Sequence, residues 1–514
     1  MRTYGREQRT EINAAVPDML SDASLRLPPG SPGTITAVLD AADRFAAGSP
    51  LAGELAAAGP FLPHALPALC RALRNSSPAV RAEAVRLCGA AIGELQSSAL
   101  QIAPIACAAL GSPWQAVQRY GCNLLGQIGG LASLPDQALL ALAELLQERH
   151  WDAVRTDAAH ALAAARAVKM LPVMAASTVS ECGTGVVHAV ARLDRAATEM
   201  ERFGGIGDLF VEAERQAAED GRRFERRLAA LRGTEALPGA AESWMSWSNT
   251  YRQMHLLPAA IAAMAEPHAR VRALGAETLC WAARSLGTRD QELIPAVLTM
   301  LGDVQSDIRA AACEAAGRMR LRAAVPALRA ELFRGDARTA QHAAYALARI
   351  GDAGALQDLR RCEGQQSAAS WRGALDMLQR KLAAGQALWI DLYLPVGEQL
   401  RIVQQDAQAL RGGVTDGRWR LMRAGLLAMH ALPDICCALH NPDERSALAA
   451  GRTAVEAAVR MREEAALTVP LLLGAMKDPS GSVSSRAVEI LHGLGAERLH
   501  ALLRDPVEKL MEHE

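Results

Sequence analysis

Aromatic side chains are scarce in this chain, with 8 Trp, 5 Tyr and 6 Phe in 514 residues. Sheet-rich folds draw on aromatic and β-branched residues, whereas the apolar half of this sequence is mostly Ala and Leu, the composition of closely packed helices. Net charge is lacking too. The 55 basic and 56 acidic residues leave a formal −1, so no overall field draws the chain to nucleic acid or anionic membrane, and only local basic patches stay open. Long hydrophobic runs are missing: nothing offers ~18 uninterrupted apolar residues, and the N-terminus MRTYGREQRTEINAAVPDML is polar where a signal peptide has an apolar core. Those absences predict a soluble, cytoplasmic protein. The ten cysteines include no C-x-x-C pair, and residues such as Cys122 and Cys313 sit in Ala/Leu helical patterns. They read as small core residues in a reducing compartment rather than as disulfides or zinc ligands. No Walker-type loop, nucleophile elbow or H-E-x-x-H occurs, and GGIGDLF, with no strand before it, reads as a linker. No catalytic residue, metal ligand or cofactor is expected, and an enzyme is the less favoured reading.

What the chain does have is an internal repeat. SSPAVRAEAVRLCGAAIG from Ser76, GSPWQAVQRYGCNLLGQIG from Gly111 and ERHWDAVRTDAAHALAAA from Glu148 align on Val80, Val117 and Val154, successive markers 37 residues apart. The spacing returns between Val271 and Ile308. Each unit opens with an apolar stretch that often holds proline near its start, as in HALPALCRAL, QIAPIACAAL, HLLPAAIAAM, ELIPAVLTML, AAVPALRAEL and LTVPLLLGAM. Proline is tolerated in a first helical turn, whose N–H groups have no intrahelical partner. Each unit is therefore expected to be a first helix, a short Ser/Pro/Asp turn and a second helix beginning near Val-Arg.

Within the second helix, offsets +4 and +5 from the marker carry small residues, Gly121-Cys122 and Gly275-Ala276 among them, and form the expected buried stripe. Offsets +3, +6 and +10 share another, mostly polar face. That face supplies the candidate contacts Tyr120, Asn123, Gln127, Asp157, His160, Glu277, Trp281, Glu314 and Arg318. Trp114 and Trp151 stand three residues before their markers in successive units, on one rim, where Ser77, His268 and Gln305 show that an aromatic is not required. They read as inter-repeat packing, with a partner anchor as the alternative.

On these motifs the chain resembles the HEAT-repeat family, an ARM/HEAT-type α-solenoid: the proline-opened first helix, the Asp/Ser-Pro turn, Val80-Arg81, Val154-Arg155 and Val271-Arg272, and glycine at the end of the second helix. The resemblance covers about residues 60 to 170, 255 to 360 and 465 to 505. It implies an all-α fold of antiparallel helix pairs stacked into a curved solenoid, with second helices lining the concave side. It also implies that Arg81, Arg155, Arg272 and Arg309 bond to neighbouring repeats, while Gln118 departs from the pattern and marks a weakened joint.

The expected organisation is N-terminal capping helices and a Pro/Gly loop over 1–60, HEAT repeats over 61–170, and a degenerate repeat, a long charged helix and an aromatic linker over 171–254. HEAT repeats return over 255–384, followed by an irregular helical region over 385–466 and a C-terminal repeat and cap over 467–514. Val186 to Phe203 is the expected second helix of the degenerate repeat. Five arginines crowd the end of the charged helix, which reads as solvated, with a docking site for an acidic partner or a phosphate backbone as the alternative. Trp244 and Trp247 in the linker either plug the groove or anchor a partner, and 385–466 reads either as two divergent repeats or as an inserted partner site.

Among HEAT-like enzymes, the deoxyhypusine hydroxylase family uses His-Glu pairs within its repeats as iron ligands, and the one adjacent pair here is His513-Glu514 at the chain end. HEAT-like DNA glycosylases hold DNA on a basic face, whereas this face carries Glu83, Asp157, Glu277 and Glu314. For lyase or chaperone-type HEAT proteins no motif carries over. His160 beside Asp157 is a common chance pairing rather than a catalytic base. The favoured reading is a non-catalytic scaffold or adaptor holding a protein or peptide in a helical groove, with no membrane span and nucleic acid unlikely. Ala and Arg usage points to a GC-rich bacterial source.

Overall fold

The computed structural model describes residues 31–147, 150–177, 184–202, 206–233, 250–286, 293–334, 336–365, 372–379, 396–495, 498–499 and 502, and no strand occurs among them. In chain order the helices are α1 Ser31–Ala46, α2 Ala52–Ala56, α3 Leu66–Ala72, α4 Pro78–Ala109, α5 Gln115–Leu131, α6 Asp136–Glu144, α7 Asp152–Ala164, α8 Leu171–Ser177 and α9 Thr184–Arg202. There follow α10 Ile206–Arg232, α11 Thr250–Met264, α12 Ala269–Leu286, α13 Leu293–Met300, α14 Ser306–Arg318, α15 Val325–Glu331, α16 Ala337–Ile350, α17 Ala355–Gln365 and α18 over 372–379. The last are α19 Val396–Arg411, α20 Arg418–Arg423, α21 Leu432–Cys437, α22 Glu444–Ala475 and α23 Gly481–Leu494. Contacts divide the chain into one unit of residues 1–209 with 389–502 and another of 210–388 with 503–514.

The helix pairs follow the sequence pattern. Second helices α4, α5 and α7 begin after the extended residues Ser77, Trp114 and Trp151, and Val117 and Val154 one turn later are fully buried. The small residue at +4 lets the two helices of a pair close up. A Cβ on Gly121 would stand 2.9 Å from the Leu110 side chain, and one on Gly275 would stand 2.8 Å from the Ala260 carbonyl oxygen. Neighbouring second helices approach as closely, since a Cβ on Gly126 of α5 would lie 3.2 Å from Ala161 Cα of α7. The helix expected from Val186 to Phe203 coincides with α9 as far as Arg202, Phe203 lying outside the described residues, and α9 packs on α7.

The proline pattern holds at Pro67, Pro326 and Pro433, which lie in the first turns of α3, α15 and α21. It departs from expectation at Pro104, Pro258 and Pro470, which lie inside α4, α11 and α22. In α4 and α22 the second helix of one pair runs without a break into the first helix of the next, each over 32 residues. No Gly, Pro or Asx residue stands between Leu95 and Pro104 to stop the first of these helices. One consequence is that the boundary expected between 466 and 467 falls within a single helix, α22.

In the first unit a larger duplication overlies the short repeat. The run from Gly59 recurs 366 positions later from Gly425. Both glycines have left-handed φ, +51° and +60°, and both open a 3-10 turn. His64-Ala65-Leu66-Pro67 recurs as His430-Ala431-Leu432-Pro433. The paired elements are α1 with α19, α2 with α20, α3 with α21, α4 with α22 and α5 with α23. The segment expected to be irregular over 385–466 is thus, from residue 396 on, a second copy of the N-terminal pairs.

The two copies exchange neighbours. By chain order α5 would stack on the start of α4, yet the helix seated there is α23, while α5 stacks on α22. A Cβ on Gly89 of α4 would meet the Ile490 side chain at 2.5 Å, and one on Gly451 of α22 would meet the Tyr120 ring at 2.5 Å. In the second unit, by contrast, α12, α14 and α16 stack in sequence order, with a Gly317 Cβ placed 2.7 Å from Ala346 Cα. Phe224 and Leu228 of α10 join Leu256 and Leu257 of α11 in that unit's core. Each fully buried Leu or Phe contributes about 1.5–3 kcal/mol.

A candidate partner-binding face on the second helices

The arginine after each marker ties its turn to a neighbouring repeat. Arg272 donates to the Glu266 and Pro267 carbonyls at 3.0 and 2.8 Å and to Asp303 of the next repeat at 2.9 Å. Arg309 does the same with the Asp303 and Val304 carbonyls and with Glu331. Arg155 reaches the Leu146 and Ser177 carbonyls. Arg81 holds the Asn75 and Ser76 carbonyls, and its acidic partner is Asp478 of the other copy. Ser112 stands where Asp478 does in the duplicated alignment, so the first copy lacks that carboxylate. Gln118, the departure from Val-Arg, donates to Ser112 O at 2.8 Å within its own turn.

The polar face does not stay open along its whole width. Tyr120 is half-buried against α22, and Gln127 is only 8 % exposed, accepting a hydrogen bond from Arg462 Nη1 at 3.3 Å. Both were expected to be free contacts, and both lie instead in the joint between α5 and α22, because the second copy supplies the neighbouring helix. Offset +3 serves the same end elsewhere. Asp157 takes a 2.7 Å ion pair from Arg119 of α5, and Arg486 at the equivalent place in α23 pairs with Glu83 of α4. The Arg486 hydrogen bond holds the Glu83 carboxyl below its ordinary range against the upward push of partial burial.

What remains open is the line at +6. Asn123, His160 and Glu277 are exposed. His160 Nε2 lies 3.1 Å from the Gly185 carbonyl, so it spans from α7 to α9, while Asp157 is engaged by Arg119. Trp151 is 70 % exposed and therefore does not pack between repeats as expected, whereas Trp114 is half-buried. Trp244 and Trp247 lie outside the described residues.

The second unit carries the fuller cluster. Glu314 and Arg318 of α14 pair at 2.9 Å through Nε, and His342, Tyr345 and Arg349, all half-buried, continue the face on α16. Burial pushes the Glu314 carboxyl up, but the Arg318 hydrogen bond and the charges of Arg318, His342 and Arg349 outweigh it and leave the group below its ordinary value. Burial pushes His342 down, with Glu314 pulling the other way. Half-buried Trp281 and exposed Glu277 on α12 extend the cluster by one helix. His342, Tyr345 and Arg349 escaped the sequence reading because α16 starts 31 residues after α14 rather than 37, which takes its marker, Thr339, out of register. Among the described residues no three His, Cys, Asp or Glu side chains converge as metal ligands, and no helix is long and apolar enough to cross a membrane.

Residues 66–163 and 294–378 match the family model described as HEAT repeats. No curated protein sequence matches the chain. Solved structures similar to it include human deoxyhypusine hydroxylase, at 17 % identity over 63 % of this chain and 97 % of that one with TM-score 0.20. Another is Kap121p, at 12 % identity over 98 % of this chain and 58 % of that one with TM-score 0.25. An engineered protein aligns at 14 % identity over 93 % of this chain and 98 % of its own, with TM-score 0.17. Superpositions this loose bear on neither activity nor partner. The family match and the paired-helix stacks carry the conclusion: residues 66–163 and 294–378 of this chain are HEAT repeats.

Proposed function

We propose that the chain is a non-catalytic scaffold that holds a protein or peptide partner on the second-helix face of its second unit. The observation that carries this reading is the cluster of Glu277, Trp281, Glu314, Arg318, His342, Tyr345 and Arg349, where both signs of charge stand beside two aromatic rings on three successive helices. Mixed charge with aromatic anchors is the chemistry of protein recognition, whereas a phosphate backbone is repelled by the carboxylates. In the first unit Asn123, His160 and Trp151 form a smaller candidate surface, since Tyr120 and Gln127 are taken up by stacking.

Crosslinking and mass spectrometry in the native cell, comparing wild type with Trp281→Glu and with Glu314→Arg, test this assignment. Loss of one set of crosslinked proteins in both variants is the expected result. An unchanged set sinks it. A gel shift at low salt is expected to show no retardation of DNA or RNA.

A further inference from the structure

The duplicated halves of the first unit meet at one pair of identical residues. His64 and His430, 366 positions apart, place Nε2 against Nε2 at 2.7 Å, with ring centroids 4.9 Å apart and planes 26° from parallel. The Phe61 ring centroid lies 4.8 Å from that of His430. Each histidine is next to last in the 3-10 turn that leads into α3 or α21, so the contact sits where one copy's entry to its short helix touches the other's.

We propose that this pair is an acid-sensitive latch between the two halves of the first unit. Two neutral imidazoles bring two N–H groups and two lone pairs, and the Nε2 bridge uses one of each. The accepting ring therefore keeps its proton on Nδ1, and the donating ring has its lone pair there. A first added proton goes to that free Nδ1 and leaves the bridge intact. A second has only the accepting Nε2 left, where it sets two N–H groups and two cations against each other. Full protonation and the closed contact exclude one another.

The surroundings do not compensate for such charge. Asp43 of α1 is paired with Arg71 of α3, Asp406 of α19 with Arg420 of α20, and Asp434 of α21 with Arg411 of α19. On the long helices, Arg81 of α4 is taken by Asp478 in the turn before α23, Glu83 of α4 by Arg486 of α23, and Arg462 of α22 by Gln127. Among the described residues, His430 is the charge that acts on His64, and burial lowers both rings, His430 to about 4. A histidine depressed in the closed state and ordinary in the open one stabilises closure above pH ~6.5 and loses that contribution as pH falls toward 4. From His430 alone the closed-to-open ratio falls about 20-fold between pH 7 and pH 5.

The test is hydrogen–deuterium exchange of the full chain at pH 7 and pH 5, corrected for intrinsic exchange, read over residues 59–72 and 425–437. Wild type is expected to lose protection there by about that factor, and a His64→Gln/His430→Gln variant is expected to keep nearly all of its pH 7 protection at pH 5. His440→Gln, which removes a different imidazole contact between the halves, at the Ile105 carbonyl, is expected to keep the wild-type loss. If the paired glutamines do not fold at pH 7, His430→Phe, whose ring can stack on Phe61, is read in the same way. Protection that is independent of pH in wild type, or an equal loss in the variants, overturns the latch.

Discussion

Arg81 grips Asp478 across 397 positions of sequence, Nε to Oδ2 at 2.5 Å and Nη2 to Oδ1 at 2.8 Å. The geometry is that of Arg272 with Asp303, in which one repeat holds the turn of the next. The repeat that follows Arg81 in space is therefore the last one in the sequence, not the next.

Arg81→Ala and Asp478→Ala are each expected to lower the melting temperature of the first unit, with a double-mutant cycle showing strong coupling. The same cycle on Arg338 and Asp307, an ion pair 70 % exposed on both sides, is expected to give close to zero. Equal coupling in both cycles would mean that the long-range pair does not join the halves.

Gly451→Ala is expected to destabilise by about 1–3 kcal/mol, because the new Cβ falls 2.5 to 2.8 Å from the Tyr120 ring and its Cβ, atoms near the backbone that cannot swing aside. Gly221→Ala in α10, with nothing within 4 Å, is expected to stabilise its helix by roughly 0.5–1 kcal/mol. Denaturant titration of the two variants checks the opposite signs.

Trp151→Ala is expected to leave stability within about 0.5 kcal/mol of wild type, as its side chain is largely in solvent. Leu124→Ala, fully buried on the neighbouring helix, is expected to cost about 2–5 kcal/mol. A large stability loss at Trp151 would restore it to the packing between repeats.

Burial pushes the Cys107, Cys313 and Cys437 thiols up to about 12. Since the thiolate is the nucleophile and a raised pKa leaves very little of it at pH 8, native protein is expected to resist iodoacetamide at these three positions. In denaturant they should react fully, and peptide mass spectrometry distinguishes the two states.

Much of this was legible in the chain. Val117, Val154, Val271 and Ile308 marked the buried start of each second helix, and Gly121 and Gly275 marked the close approach within each pair. The duplication was legible too, in His64-Ala65-Leu66-Pro67 against His430-Ala431-Leu432-Pro433, but the short 37-residue period overlies the repeat of 366. Helical spacing puts +3, +6 and +10 on one face, yet its division into a joint at Tyr120 and Gln127 and an open line at Asn123 and His160 depends on which helix lies alongside.

The sequence by itself determined the helix pairs, because marker, small-residue stripe and turn are local patterns whose burial preferences point one way. Only the tertiary structure decided which pair stacks on which. Any second helix with small residues at the joint can accept any other, and the choice of α23 for α4 and of α22 for α5 rests on contacts between residues more than 300 positions apart: a carboxylate at Asp478 that Ser112 lacks, a glycine at 451 that admits the Tyr120 ring, and two histidines that meet only when the copies close on each other.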